Sequence, residues 1–193
     1  MKKIISLCAL LILCFSCKQK EIGRITENAM VVSAREEASQ IGSDIMKQGG
    51  NAFDAMVATQ LALAVAYPYA GNLGGGGFMV YRLENGTIGS LDFREKAPLA
   101  ATKNMYQDSL GNVIPNLSTD GAMAVGVPGT IAGVFAVHKK FGTLPIETIL
   151  NPVIALAKRG VVVTQKQEIR IFKKLKAFEM ANSDSIIFMK PWK

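Results

Sequence analysis

The sequence predicts an α+β fold, a layered sheet covered by helices rather than a doubly wound parallel sheet. Three observations carry that prediction. Ala55 to Ala66 is apolar on nearly every face apart from Thr59 and Gln60, the pattern of a helix buried on all sides. Two strand-like runs flank Glu84-Asn85-Gly86, and Asn-Gly is a hairpin turn that tolerates positive φ. The order is strand, two helices, hairpin, strand and then helices, rather than strands alternating with helices. With 193 residues, 49% hydrophobic and 19% charged, the chain can bury a sizeable core as one domain or as part of a larger one. Its 18 glycines follow no G-X-Y period, which excludes a collagen.

The first segment reads as targeting. Met1-Lys2-Lys3 is basic, and Ile4 to Phe15 is apolar except for Ser6. That run is short for a bilayer span, and its flanks suit a secretory signal. It ends at Leu13-Cys14-Phe15-Ser16-Cys17, followed at once by Lys18-Gln19-Lys20-Glu21. A small residue before a Cys and then an abrupt polar stretch resembles a bacterial lipoprotein processing site. Residues 1–17 are therefore expected to be a lipoprotein-type signal, with Cys17 as the lipidated residue and the membrane as a partner through that lipid. An ordinary cleaved signal is the alternative. The expected location is exported, periplasmic or cell-surface. Cys8, Cys14 and Cys17 are the only cysteines, so the body that follows has no disulfide, no thiol nucleophile and no cysteine metal site.

Residues 18–28 are polar and read as a tether. Ala29 to Val32 is a strand candidate. Ser33 then opens a helix, with Glu36 three residues on as a capping box and Ala38, Ile41, Ile45 and Met46 at helical spacing. Gly49-Gly50 stops it. The second helix starts near Asn51 or Asp54 and ends at Tyr67-Pro68, and its apolar surface calls for a covering sheet. Phe78 to Leu83 and Thr87 to Phe93 are the hairpin arms, apolar enough to suggest a central place in a sheet. Ala97 to Ser118 reads as loop and short helix, and Ala122 to Val127 as a strand. Helices are expected from Thr130 to Lys140 and from Ile146 to Lys158, the latter ended by Gly160. Thr164, with Gln167 three residues on, caps a last helix, striped by Ile169, Phe172, Leu175 and Phe178.

The net charge of +7 lies wholly between His138 and Lys193; acids and bases balance before that. A basic last helix can touch membrane or nucleic acid. The stripe at helical spacing reads instead as core packing with a solvated basic face, and no nucleic-acid partner is expected.

The chemical candidates are few. Gly74 to Gly77 fits neither the P-loop nor the dinucleotide fingerprint, and it precedes a strand rather than opening a helix. A close backbone approach, where any Cβ would clash, is the favoured reading. His138 is the only histidine and is expected on a solvated helix face, so neither a histidine metal cluster nor a Ser-His-Asp triad is expected. Arg94 sits at a strand end beside a loop, where a guanidinium can present its planar fork to a carboxylate. From spacing alone, a structural pair with Asp92 or Glu95 ranks first.

Four runs change that ranking. They are Gly49 to Ala55, Gly74 to Phe78, Asp92-Phe93-Arg94-Glu95-Lys96-Ala97-Pro98, and Val125 to Thr130. In this order they resemble the γ-glutamyltranspeptidases (glutathione hydrolases), from about Ala29 to Phe188. The resemblance implies an N-terminal-nucleophile hydrolase with an αββα sandwich, of which residues 29–193 would be the N-terminal portion of the large subunit. It implies a precursor that cuts itself in two. The new N-terminal Thr of the small subunit then attacks the γ-glutamyl amide of glutathione or a related compound, and water, an amino acid or a dipeptide takes the glutamyl group. No cofactor or metal is implied. Arg94 matches the arginine that pairs with the donor α-carboxylate, so substrate contact now leads. Thr119, Thr130 and Thr143 lack the context of the nucleophile, and family members are about three times longer. The chain is therefore expected to be a truncated part, inactive without the rest of the large subunit and the small subunit. The alternative is a stand-alone, non-catalytic lipoprotein that binds γ-glutamyl or amino-acid ligands.

Overall fold

A computed structural model of the protein describes residue 23 and residues 25–181. The expected signal, with Cys17, lies outside the described residues. The chain divides into Met1–Met30 and Val31–Lys193. In the first unit, the described residues are exposed and irregular.

Helix α1 (Glu36–Lys47) opens the second unit, with Arg35 as N-cap and no side-chain cap. The predicted capping box at Ser33 does not form. The Ser33 hydroxyl donates to the Arg35 carbonyl at 2.8 Å and lies 2.8 Å from the Ser39 hydroxyl, so it is spent on the turn before the helix. The strand expected at Ala29–Val32 is also absent. An extended segment becomes a strand only beside a partner, and none flanks it among the described residues.

Helix α2 (Ala52–Ala66) is the hub. Asn51 and Asp54 form the capping box that fixes its start. Ala55, Val57, Ala58, Leu61, Ala62 and Ala66 are all buried. The predicted burial holds, but helices supply most of the cover: α1, α3 (Thr130–Phe141) and α4 (Ile146–Arg159) all pack on α2. Ala38 and Ile45, Val134 and Val137, and Ile149, Val153 and Leu156 are what they contribute.

The sheet contribution is one antiparallel hairpin, β1 (Phe78–Arg82) and β2 (Ile88–Asp92), in register from Phe78↔Asp92 to Arg82↔Ile88. Alternation sends Met79, Tyr81 and Leu91 to the core. Tyr81 joins Phe53 and Phe141 in an aromatic cluster, with Phe53 stacked on Phe141 at 4.4 Å. The other face is bare, with Phe78 67% exposed, Val80 79% and Ile88 71%.

Between β2 and α3 the chain makes turns, without the short helix expected in 97–118. The strand expected at Ala122–Val127 is instead a 3₁₀ turn, Ala122–Ala124, followed by a single bridge between Val127 and Lys96. The last helix, α5 (Gln165–Ala181), starts at the predicted Thr164–Gln167 pair. Its stripe is mostly not core: Ile169, Phe172 and Phe178 are 42–63% exposed, and Leu175 is half-buried. Periodicity reported an amphipathic face but not what lies against it. Arg170 of α5 lies over the Tyr69 ring, 4.4 Å from its centroid, and polar bonds also tie the helix back. Arg35 grips the Glu37 carboxylate with two bonds and donates to Gln167 Oε1 at 3.0 Å. Gln167 in turn reaches the Ala66 carbonyl at 3.3 Å.

Candidate substrate-binding site

Arg94 follows the last residue of β2, and the surrounding structure grips its backbone. Gly77 and Phe93 exchange backbone bonds, N–H of Phe93 to the Gly77 carbonyl at 3.0 Å and the reverse at 3.4 Å. A Cβ on Gly76 would lie 2.6–2.7 Å from Phe93 O, Arg94 Cα and Glu95 N. The close approach expected of the glycine run therefore falls on the Arg94 backbone itself. A Cβ on Gly129 would also collide with the Phe93 carbonyl, and one on Gly133 with the Phe93 ring. The N-terminus of α3 closes the arrangement. The Gly75 carbonyl accepts from the N–H groups of Gly129 and Thr130 at 2.8 and 3.2 Å, satisfying donors that a helix start leaves open. The Thr130 hydroxyl donates to the Gly74 carbonyl at 2.8 Å.

Past Arg94, Lys96 and Val127 exchange bonds at 3.2 and 2.8 Å. Three of the four runs singled out in the sequence thus converge on Arg94. The Arg94 side chain is exposed. Only its backbone N–H bonds Asp92, at 2.9 Å, and among the described residues the guanidinium makes no ion pair. The expected alternative, a pair with Asp92 or Glu95, does not form. Arg94 lines an open groove of about 350 Å³, together with Glu95, Lys96, Pro98, Met105, Tyr106 and Val125. An unpaired fork at the edge of such a groove is suited to a small carboxylate.

The fourth run builds a separate knot. Asp54 is fully buried. Its carboxylate accepts from the Asn51 N–H at 3.0 Å, the Thr143 N–H at 3.1 and 3.2 Å and the Thr143 hydroxyl at 2.6 Å. Asn51 Nδ2 donates to the Phe141 carbonyl at 2.7 Å. His138 belongs to the same corner. It is half-buried, and its Nε2 lies 2.9 Å from the Leu144 carbonyl. The solvated role expected for it is replaced by a structural one, because the chain turns back at Gly142 and brings Leu144 over the ring.

A larger groove of about 680 Å³ runs between α1 and α4, past Arg35, Glu37, Asp44 and Arg159. Of the two arginines lining it, Arg35 is committed: it holds the Glu37 carboxyl below the usual carboxylate range, chiefly through their hydrogen bonds. Thr130 and Gly133 were not singled out as site residues from the sequence. The available signal was Pro128-Gly129-Thr130 opening a small-residue helix, but nothing in it says that Phe93 packs there.

Residues 38–192 match the family model described as gamma-glutamyltranspeptidase. The chain belongs to that family. It is similar to the glutathione hydrolase proenzyme of Pseudomonas sp. (strain A14), 51% identical over 166 residues, which cover 85% of this chain and 29% of that one. It is 47% identical over 137 residues to the glutathione hydrolase proenzyme of Escherichia coli (strain K12), covering 71% of this chain and 24% of the relative. Among solved structures it resembles the Helicobacter pylori γ-glutamyltranspeptidase, with a TM-score of 0.77 and 48% identity over 80% of this chain and 44% of that chain. It also resembles the enzyme from Pseudomonas nitroreducens complexed with L-DON, with a TM-score of 0.75 and 42% identity over 81% of this chain and 47% of that one. The chain thus spans less than a third of the length of these curated relatives. The α+β class stands, and the fold is part of the N-terminal-nucleophile hydrolase sandwich of the γ-glutamyltranspeptidases.

Proposed function

We propose that this chain supplies the donor-carboxylate clamp of a longer γ-glutamyltranspeptidase that cleaves the γ-glutamyl amide of glutathione or related compounds. The observation that carries the reading is Arg94, held rigidly at its backbone while its guanidinium stands unpaired beside a groove. In this reading the guanidinium takes the donor α-carboxylate in a two-point pair. That fixes the γ-carbonyl one side-chain length away, where a nucleophile from the rest of the protein attacks it. The family resemblance makes that nucleophile a Thr with its own α-amine as base. Its oxygen bonds the γ-carbon and the amine leaves with a proton. Water or an amino-acid amine then takes the acyl group.

The bare faces of the hairpin and α5 support a longer protein. Exposed apolar area of this kind is usually covered by a partner, here the rest of the large subunit and the small subunit. Export and a lipid on Cys17 belong to the same proposal, supported by residues 1–21 alone. The test is turnover of glutathione and of a γ-glutamyl anilide. The full-length gene product is expected to release glutamate and the 193-residue chain alone to release none. Turnover by the isolated chain, or none by the full-length product, contradicts the proposal.

A further inference from the structure

We infer that Thr130 is a positioning residue for Arg94. The inference rests on the proposed donor-carboxylate role of Arg94 and deepens it. The Thr130 side chain is 2% exposed, and its hydroxyl donates to the Gly74 carbonyl at 2.8 Å. Its own N–H and that of Gly129 hold the next carbonyl, Gly75. Two consecutive carbonyls of the glycine run are therefore pinned to the first turn of α3. The following residue, Gly76, lies so close to this backbone that an added Cβ would fall 2.6–2.7 Å from Phe93 O, Arg94 Cα and Glu95 N. Gly129, bonded to the Gly75 carbonyl, also approaches the Phe93 carbonyl too closely for a Cβ. Two segments thus abut the backbone at Phe93 and Arg94, and the Thr130 hydroxyl makes the only side-chain hydrogen bond between those segments among the described residues. Losing it frees the glycine run to drift from Arg94, because glycines resist such movement least. A guanidinium loses its two-point geometry when its origin moves by a fraction of an ångström.

A buried hydroxyl elsewhere supplies the control. Thr59 Oγ1 is buried without a partner among the described residues, so Thr59→Val removes no bond. The experiment is a double-mutant cycle in the full-length product, read as kcat and KM for a γ-glutamyl anilide. Thr130→Val is expected to raise KM about five-fold, the worth of one buried hydrogen bond, with a smaller change in kcat. Thr130→Ser is expected to restore KM, and Thr59→Val to leave it alone. Arg94→Lys alone is expected to raise KM about a hundredfold, since it abolishes the two-point pair. Adding Thr130→Val to it is expected to cost nothing further, because positioning has no value once the fork is gone. Should Thr130→Val fail to fold, Thr130→Ala takes its place in the cycle. Losses that multiply in the double mutant, or an unchanged KM in Thr130→Val, overturn the inference. An unchanged KM in Arg94→Lys overturns the underlying role of Arg94 instead.

Discussion

Asp54 and Arg94 are both charged residues inside runs that mark the family, and the structure treats them in opposite ways. Asp54 has no exposed surface, and its carboxylate is consumed by Asn51 and Thr143. Arg94 has its backbone closely approached by Gly76 and Gly129, while its side chain is exposed and makes no ion pair among the described residues. A buried charge whose partners are all protein is a device for holding two segments together. A charge held only by its backbone is a device for meeting something else. Spacing in a sequence does not separate these cases; the destination of each polar atom does.

Asp54 and Arg94 should answer differently to substitution of the residues around them. Asp54→Ala has the largest expected effect. It strips Thr143 and Asn51 of their acceptor inside the core, and stability is expected to fall by about 3 kcal/mol or more. Denaturant unfolding measures it, and a loss below about 1 kcal/mol would make the knot ornamental. Gly133→Ala comes next. It improves helix propensity on α3 but drives a methyl into the Phe93 ring. A net loss of about 1–3 kcal/mol is expected, recovered in part when Phe93→Leu clears the space. A stabilised single mutant would show that the ring is not wedged there.

The Arg35 clamp gives a smaller, pH-dependent effect. The Glu37 carboxyl is lowered, first by its hydrogen bonds to Arg35. A lowered folded-state value stabilises above the ordinary glutamate range and is lost as pH falls through the folded value. The hold on α5 should therefore weaken as pH falls below the ordinary glutamate range. Arg35→Met is expected to loosen α5 at neutral pH and to flatten that acid response, as read by hydrogen exchange of α5 amides. Arg94→Ala has the smallest effect on stability, within about 0.5 kcal/mol, because its side chain is exposed and unpaired. A large loss there would move Arg94 into the class of Asp54.

Much of this frame was legible in the sequence where the signal is local. Asn51 and Asp54 mark the start of α2, Asn85-Gly86 the hairpin, and Thr164 with Gln167 the start of α5, and each forms as read. Local signals failed where a tertiary partner decides. Ala29–Val32 and Ala122–Val127 are apolar enough for strands, but the first has no partner among the described residues and the second makes one bridge, at Val127. Ser33 and Glu36 have capping-box spacing, yet the Ser33 hydroxyl goes to Arg35 and Ser39. For the site, Arg94 was legible through its motif. Its cradle was not, because the clash between Gly129, Gly133 and Phe93 spans some forty residues of sequence and exists only once α3 docks.

The most direct measurement compares a γ-glutamyl anilide with the same anilide lacking its α-carboxylate, using the full-length product with and without Arg94→Ala. The native protein is expected to prefer the carboxylate-bearing donor by about a hundredfold in kcat/KM, as a two-point charged pair allows. Arg94→Ala is expected to erase that preference by slowing only the carboxylate-bearing donor. If Arg94→Ala slows both donors equally and the preference survives, Arg94 does not hold the donor carboxylate.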